Sequence, residues 1–200
     1  MLSHFGDIKN IKRSFFNFEK NQVNIYKKVY FIDFSVHSFV EIKKILTTLS
    51  PQDSIMLRRY SEKYDKEVRQ IIAFCKKNNI AIFSHHLNTC KACITHFASS
   101  FYTSNNKKSI SFHSMKDLHR LKKINPTALF LSPIFKTKTH PEMHQLGVIQ
   151  AFKMAQIIKD ITPKTKIYLL GGMTQERFHS IKIKDENNYF EGYAGMRSFV

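Results

Sequence analysis

The sequence predicts one α/β domain folded as a closed (β/α)8 TIM-type barrel with an N-terminal helical extension. Short β-type runs alternate with helical segments along the whole chain, and eight such runs can be counted in one domain. Two of the runs empty into loops rich in groups that hold anions, and the functional loops of a barrel lie at the C-terminal ends of its strands. A doubly wound open sheet shares the same local pattern, so periodicity alone leaves both arrangements open.

The chain of 200 residues is long enough for a full core, and no Pro/Gly/Ser-rich linker divides it. Residues 1–27, with Ile8, Ile11, Phe15, Phe16 and Phe18, read as a helical extension packed on the barrel, and residues 28–200 read as the barrel itself. Val29 to Phe34 is a strand, followed by a helix from about Ser38 to Leu49; Ile55 to Arg58 is the next, followed by a helix from Glu62 to Lys77. Ile80 to Phe83 precedes a helix from Leu87 to Phe97, then Ser99 to Thr103 and Ser109 to Phe112 follow closely. Ser114 or Asp117 caps a helix ending near Ile124. Ala128 to Ser132, a helix from Leu146 to Lys159, Ile167 to Leu170, a helix from Thr174 to Ile181, and Tyr189 to Met196 complete the order.

The apolar run Ala128 to Leu131 leads into Ser132-Pro-Ile-Phe-Lys-Thr-Lys-Thr-His-Pro141. Pro133 and Pro141 restrict that backbone, and Thr137, Lys138, Thr139 and His140 offer donors to a phosphate. Ile167 to Leu170 leads into Gly171-Gly172 before a helix, where main-chain N–H groups can approach an anion closely. Arg58 and Arg59 follow another strand; side chains alternate, so one faces the mouth, and Arg58 is the expected ligand. His113 reads either as an acid–base group or as a structural histidine bonded to a main-chain carbonyl.

A net charge of +17 invites a nucleic-acid reading. The basic residues are spread along the chain, however, without an arm of five or six and without any zinc-finger, RNA-recognition or basic-zipper pattern. The partners expected are therefore small anionic molecules, with no nucleic acid and no membrane. No apolar run approaches the roughly 18 residues of a membrane span, the N-terminus lacks a signal-peptide core, and three cysteines without framework spacing fit a reducing compartment, so a cytoplasmic location is expected. Cys90, Cys93 and His96 recur every three residues on the expected helix, which reads as a small apolar face before it reads as a metal site.

Ser111-Phe-His113-Ser114, Ser132-Pro-Ile-Phe-x-Thr-x-Thr-His-Pro141, Leu170-Gly-Gly-Met173 and Tyr193-Ala-Gly-Met196, in this order and spacing, resemble the thiamine phosphate synthase and thiazole tautomerase superfamily. The resemblance is best from about residue 108 onward. It implies a barrel that joins hydroxymethylpyrimidine diphosphate to thiazole phosphate, releasing diphosphate with the help of Mg2+. Under it, Arg58 and Ser111 match the diphosphate-binding positions, and Thr137 and Thr139 match the threonines near the reacting groups. Gly171 and Gly172 match the glycines that receive the thiazole phosphate, and Met196 to Ser198 form the last phosphate loop, with Arg197 where a serine is common. His140 replaces a lysine, and Tyr60 stands where the superfamily usually has another.

The metal positions differ more. Ser84-His85-His86 and Asn105-Asn106-Lys107 stand where the superfamily carries its metal-binding carboxylates, although Mg2+ prefers oxygen ligands. Lys107, Lys138 and Arg197 are the fixed charges available to substitute for the ion. The resemblance implies three readings: the synthase, a non-catalytic phosphate-ligand barrel, and a thiazole tautomerase using His113 or His140. It also implies a homo-oligomer.

Overall fold

A computed structural model describes residues 27–58, 60–85, 93–97, 108–137 and 142–196. Eight strands close a barrel in chain order: β1 (Lys27–Ile32), β2 (Ser54–Leu57), β3 (Ala81–Ser84), β4 (Ile94–Phe97), β5 (Lys108–Phe112), β6 (Ala128–Leu131), β7 (Lys166–Leu170) and β8 (Phe190–Gly195). The helices described are α1 (Phe39–Thr48), α2 (Asp65–Lys77), α3 (Leu118–Ile124), α4 (Gly147–Ile161) and α5 (Gln175–Lys182). The first and last strands pair in parallel, from Lys27 with Gly192 to Tyr30 with Gly195, and this closure decides for the barrel over the open sheet.

Alternation along each strand builds two layers of core. Val29, Phe31, Met56, Phe83, Ala128, Phe130, Tyr168 and Ala194 pack together inside the barrel. The intervening residues face the helices: Tyr30, Ile55, Leu57 and Ile82 meet Ile42, Ile45, Val68 and Ile71, while Ile110, Leu129, Leu131 and Ile167 meet Ala151, Met154 and Ile158. Both faces of β6 are therefore apolar, which is why Ala128-Leu-Phe-Leu131 is a continuous buried run. Local signals set the helix starts. Ser38 and Glu41 form a reciprocal capping box on α1, and the Thr174 hydroxyl accepts from the Arg177 N–H at the start of α5.

One expected element is corrected. Ile94 to Phe97, read as the end of a helix, is strand β4, paired on one side through Phe83 with Ile94 and on the other through His96 with Ser109. β-branched Ile94 and Thr95 favour the extended chain, and a closed barrel requires a strand between β3 and β5. The three-residue spacing of Cys93 and His96 then puts them on opposite faces: Cys93 packs in the outer core, and the His96 ring meets Phe130 inside. Cys93 is disulfide-bonded, a departure from the expectation of free thiols, and Cys75 is a free, buried thiol. The expected extension at residues 1–27, except Lys27, which opens β1, most of the expected helix 87–97 and the expected strand 99–103 lie outside the described residues.

Candidate functional site

The inward face of each strand continues into the barrel mouth at its C-terminal end. Two residues beyond inward Phe31, Met56, Phe83 and Phe130 stand Asp33, Arg58, His85 and Ser132. Arg58 Nη1 donates to Asp33 Oδ2 at 2.9 Å, tying the ends of β1 and β2 together. The other Asp33 oxygen accepts from the Ser35 N–H at 2.9 Å and the Ser35 hydroxyl at 2.6 Å. Burial alone would raise the Asp33 carboxyl, but these two hydrogen bonds, and then the charges of Arg58 and His37, hold it below its ordinary value. The His37 ring reaches across to the main-chain carbonyl of Met196 at 3.1 Å, joining this side of the mouth to β8. Phe34 stacks on Tyr64 with centroids 4.4 Å apart and meets Tyr60 edge-on, so Tyr60 is part of an aromatic wall.

Ser111 and His113 leave β5 on the inward face and enter a second constellation. His96 lies between two hydroxyls, with Nδ1 2.9 Å from Ser109 Oγ and Nε2 3.1 Å from Ser111 Oγ. Burial pushes its imidazole well below the ordinary value, and the neighbouring charges of His85, Arg120 and His113 act in the same direction, so the ring is neutral. The His85 ring packs edge-on against it, 4.7 Å between centroids. His113 Nδ1 donates to the Ser132 carbonyl at 3.0 Å with Ser132 Oγ 3.1 Å away, which is the structural reading of that histidine; its ring lies at the exposed edge of the mouth.

The loops after β6 and β7 are joined by main chain. Ile134 N–H donates to the Leu170 carbonyl at 2.9 Å and Phe135 N–H to the Gly171 carbonyl at 3.0 Å. Gly171 has φ +95°, and a Cβ there would stand 2.7 Å from Pro133 Cα; Gly172 has φ +61°, and a Cβ would meet the Lys136 carbonyl at 2.9 Å. Both positions therefore require glycine for conformation and for close approach. Arg177 donates to the Gly172 carbonyl and stacks over Phe135 with 4.7 Å to the centroid, locking the Gly-Gly turn to the loop that carries Thr137. Thr139, His140, Arg197 and Ser198 lie outside the described residues.

Among the sequence-predicted groups, Arg58, Ser111 and His113 stand at the mouth and Gly171 and Gly172 meet the Thr137 loop. Asp33, His96, Ser109 and Ser132 were not anticipated as site residues. For Asp33 the signal was present, since the alternation that selects Arg58 after Met56 also selects Asp33 after Phe31. The described residues at the mouth do not fit Mg2+: Asp33 is engaged by Arg58 and Ser35, His85 offers nitrogen where oxygen is wanted, and no group of three or more His, Cys, Asp or Glu side chains gathers as a ligand set among the described residues.

The chain is a closed (β/α)8 barrel with Arg58, Ser111 and a glycine-bearing loop pair at its C-terminal mouth. No family model matches the chain. The chain is 34% identical over 92 residues, 45% of its own length and 44% of the relative's, to a protein of Aquifex aeolicus (strain VF5) named "Putative thiamine-phosphate synthase 2". The matched segment thus spans less than half of that relative. The fold is similar to that of thiamine phosphate pyrophosphorylase from Pyrococcus furiosus, with a TM-score of 0.65 at 11% identity and 85% of each chain covered. Part of the chain is thus similar in sequence to a protein named as a thiamine-phosphate synthase, and the fold is that of a thiamine phosphate pyrophosphorylase.

Proposed function

We propose that the protein is a thiamine phosphate synthase-like transferase that condenses hydroxymethylpyrimidine diphosphate with thiazole phosphate. The observation that carries this reading is the placement of Arg58 on the inward face of β2 with its charge at the mouth, in the same mouth as the interlocked β6 and β7 loops. The two anions of the reaction have separate receivers in this reading: Arg58 and the Ser111 hydroxyl for the diphosphate, and the Gly171-Gly172 turn with Thr137 for the thiazole phosphate. As diphosphate departs, negative charge grows on it, so a guanidinium held in place by Asp33 favours departure without having to reorganise. Thr139, His140, Arg197 and Ser198 are proposed as further phosphate contacts. The reaction is proposed to proceed without the superfamily's carboxylate-held Mg2+, and the protein is proposed to act in the cytoplasm on small phosphorylated substrates.

The test is turnover of the two precursors by the purified chain, followed by chromatographic detection of thiamine phosphate with added magnesium and with chelator. Product in both conditions, lost in Arg58→Ala, is the expected result. A second reading, a non-catalytic barrel that binds these phosphates, draws on the replacement of a carboxylate by His85, whose ring packs against His96. Binding of thiamine phosphate without turnover would select that reading, and conversion of the thiazole alone between tautomers would select the tautomerase.

A further inference from the structure

We infer that His96 is a positioning residue that turns Ser111 into a hydrogen-bond donor for a phosphate oxygen at the barrel mouth. The inference rests on the proposed reading of Ser111 as a diphosphate contact and adds the group that decides which way its proton points.

A neutral imidazole carries one N–H, so one ring nitrogen of His96 donates and the other accepts. Ser109 is wholly buried, and among the described residues its hydroxyl meets no partner but His96 Nδ1. If Nδ1 carried the proton, Ser109 would accept and its own O–H would be left unsatisfied in the interior, at the desolvation penalty of a buried donor. Ser109 O–H therefore donates to Nδ1. The ring proton sits on Nε2 and is donated to Ser111 Oγ, 3.1 Å away. With that oxygen already accepting, the Ser111 O–H is left to be given elsewhere. Ser111 is only partly buried and has no other side-chain partner among the described residues, so of the two serine hydroxyls flanking His96 it is the one that can reach solvent or a ligand.

The ring is held for this task on every side. Phe130 meets it edge-on at 5.4 Å and His85 at 4.7 Å, while β4 and β5 pair His96 with Ser109 directly. The groups facing it are His85 at the end of β3, Arg120 on α3 and His113 beyond β5, all cationic or able to become so. A positive charge on the ring is disfavoured among them, so the relay keeps one direction. An imidazolium would still donate to Ser111 but would leave Ser109 without an acceptor.

The test uses the full chain in two measurements. Nitrogen-15 NMR of the histidine rings, with His96 assigned by comparison to His96→Gln, is expected to show a neutral Nε2–H tautomer from about pH 6 to pH 8; the Nδ1–H tautomer or an imidazolium in that range overturns the inference alone. Calorimetric titration with inorganic diphosphate is expected to show Ser111→Ala and His96→Phe each weakened roughly ten-fold or more. His96→Phe combined with Ser111→Ala should be no weaker than Ser111→Ala, because the two act as one donor. His96→Gln, whose amide can donate at the Nε2 place, should recover part of the loss. Additive losses, or no recovery by Gln while both variants stay folded, overturn the inference. Failure of the wild-type chain to bind diphosphate at all overturns the proposed reading of the site together with this one.

Discussion

Across the barrel mouth, the β6–β7 side is fixed by main chain, where the N–H groups of Ile134 and Phe135 bond the carbonyls of Leu170 and Gly171, while the β1–β2 side is fixed by charge, with Arg58 held by Asp33. The β6–β7 side carries the motifs that resemble the thiamine phosphate synthase superfamily; Tyr60 and His85, on the β1–β4 side, depart from that resemblance. Main-chain bonds and glycine conformations survive replacement of nearby side chains, so a phosphate site built from them constrains few residue identities. A site built from side-chain charge changes whenever one member does, and its neighbours must then be refitted. On this side stand the aromatic wall of Phe34, Tyr60 and Tyr64 and the histidine pair His85 and His96, each held by its neighbours' side chains.

The largest expected effect breaks the charged side. Arg58→Ala should lower turnover on the diphosphate substrate by at least roughly 100-fold, since a preorganised cation facing developing charge typically carries that much. Arg58→Lys should recover only a small part, because an ammonium keeps the charge and loses the planar fork that meets Asp33 and a phosphate together. Turnover within about three-fold of wild type in Arg58→Ala would place the diphosphate elsewhere in the mouth.

Next comes the main-chain side. Gly171→Ala puts a side chain on a residue at φ +95° and a methyl 2.7 Å from Pro133 Cα, so either the turn or the β6 loop must move. The expected cost is about 2–4 kcal/mol, read as a fall in Tm of roughly 5–15 °C for a chain of this size. A Tm unchanged within about 2 °C would mean that the two loops are not held by this close approach, and the contrast between the two sides of the mouth would fail.

The same contrast explains what could be read from the sequence. Strand runs buried on both faces, such as Ala128 to Leu131, are local, and so are the Gly171-Gly172 turn and the Ser38 cap; each announces itself within a few residues. Arg58 was legible through alternation from the apolar strand before it. The pairing of Arg58 with Asp33 joins residues 25 apart, and that of His96 with Ser111 joins residues 15 apart, so neither leaves a spacing in the sequence. β4 was missed because its four residues are too short to show a period, while the three-residue recurrence of Cys90, Cys93 and His96 imitates a helical face.

The smallest effect sharpens the charged side through pH. The Asp33 carboxyl has a folded-state pKa below its unfolded value, so on acidification the unfolded chain takes up this proton first. The resulting stabilisation is complete above the unfolded value, about 4, and is lost as pH falls from there through the folded-state pKa. Asp33→Asn removes the ionisation and should flatten the acid limb, so that Tm falls less steeply below about pH 4.5 than in wild type, with matching slopes above about pH 5.5. The Arg58 side chain is 34% exposed, so solvent screens the pair, and added salt should shrink the difference between the two limbs. Identical limbs at low salt would show that the Ser35 hydrogen bonds hold Asp33 without help from charge, and Arg58 would then be free to turn wholly toward a ligand.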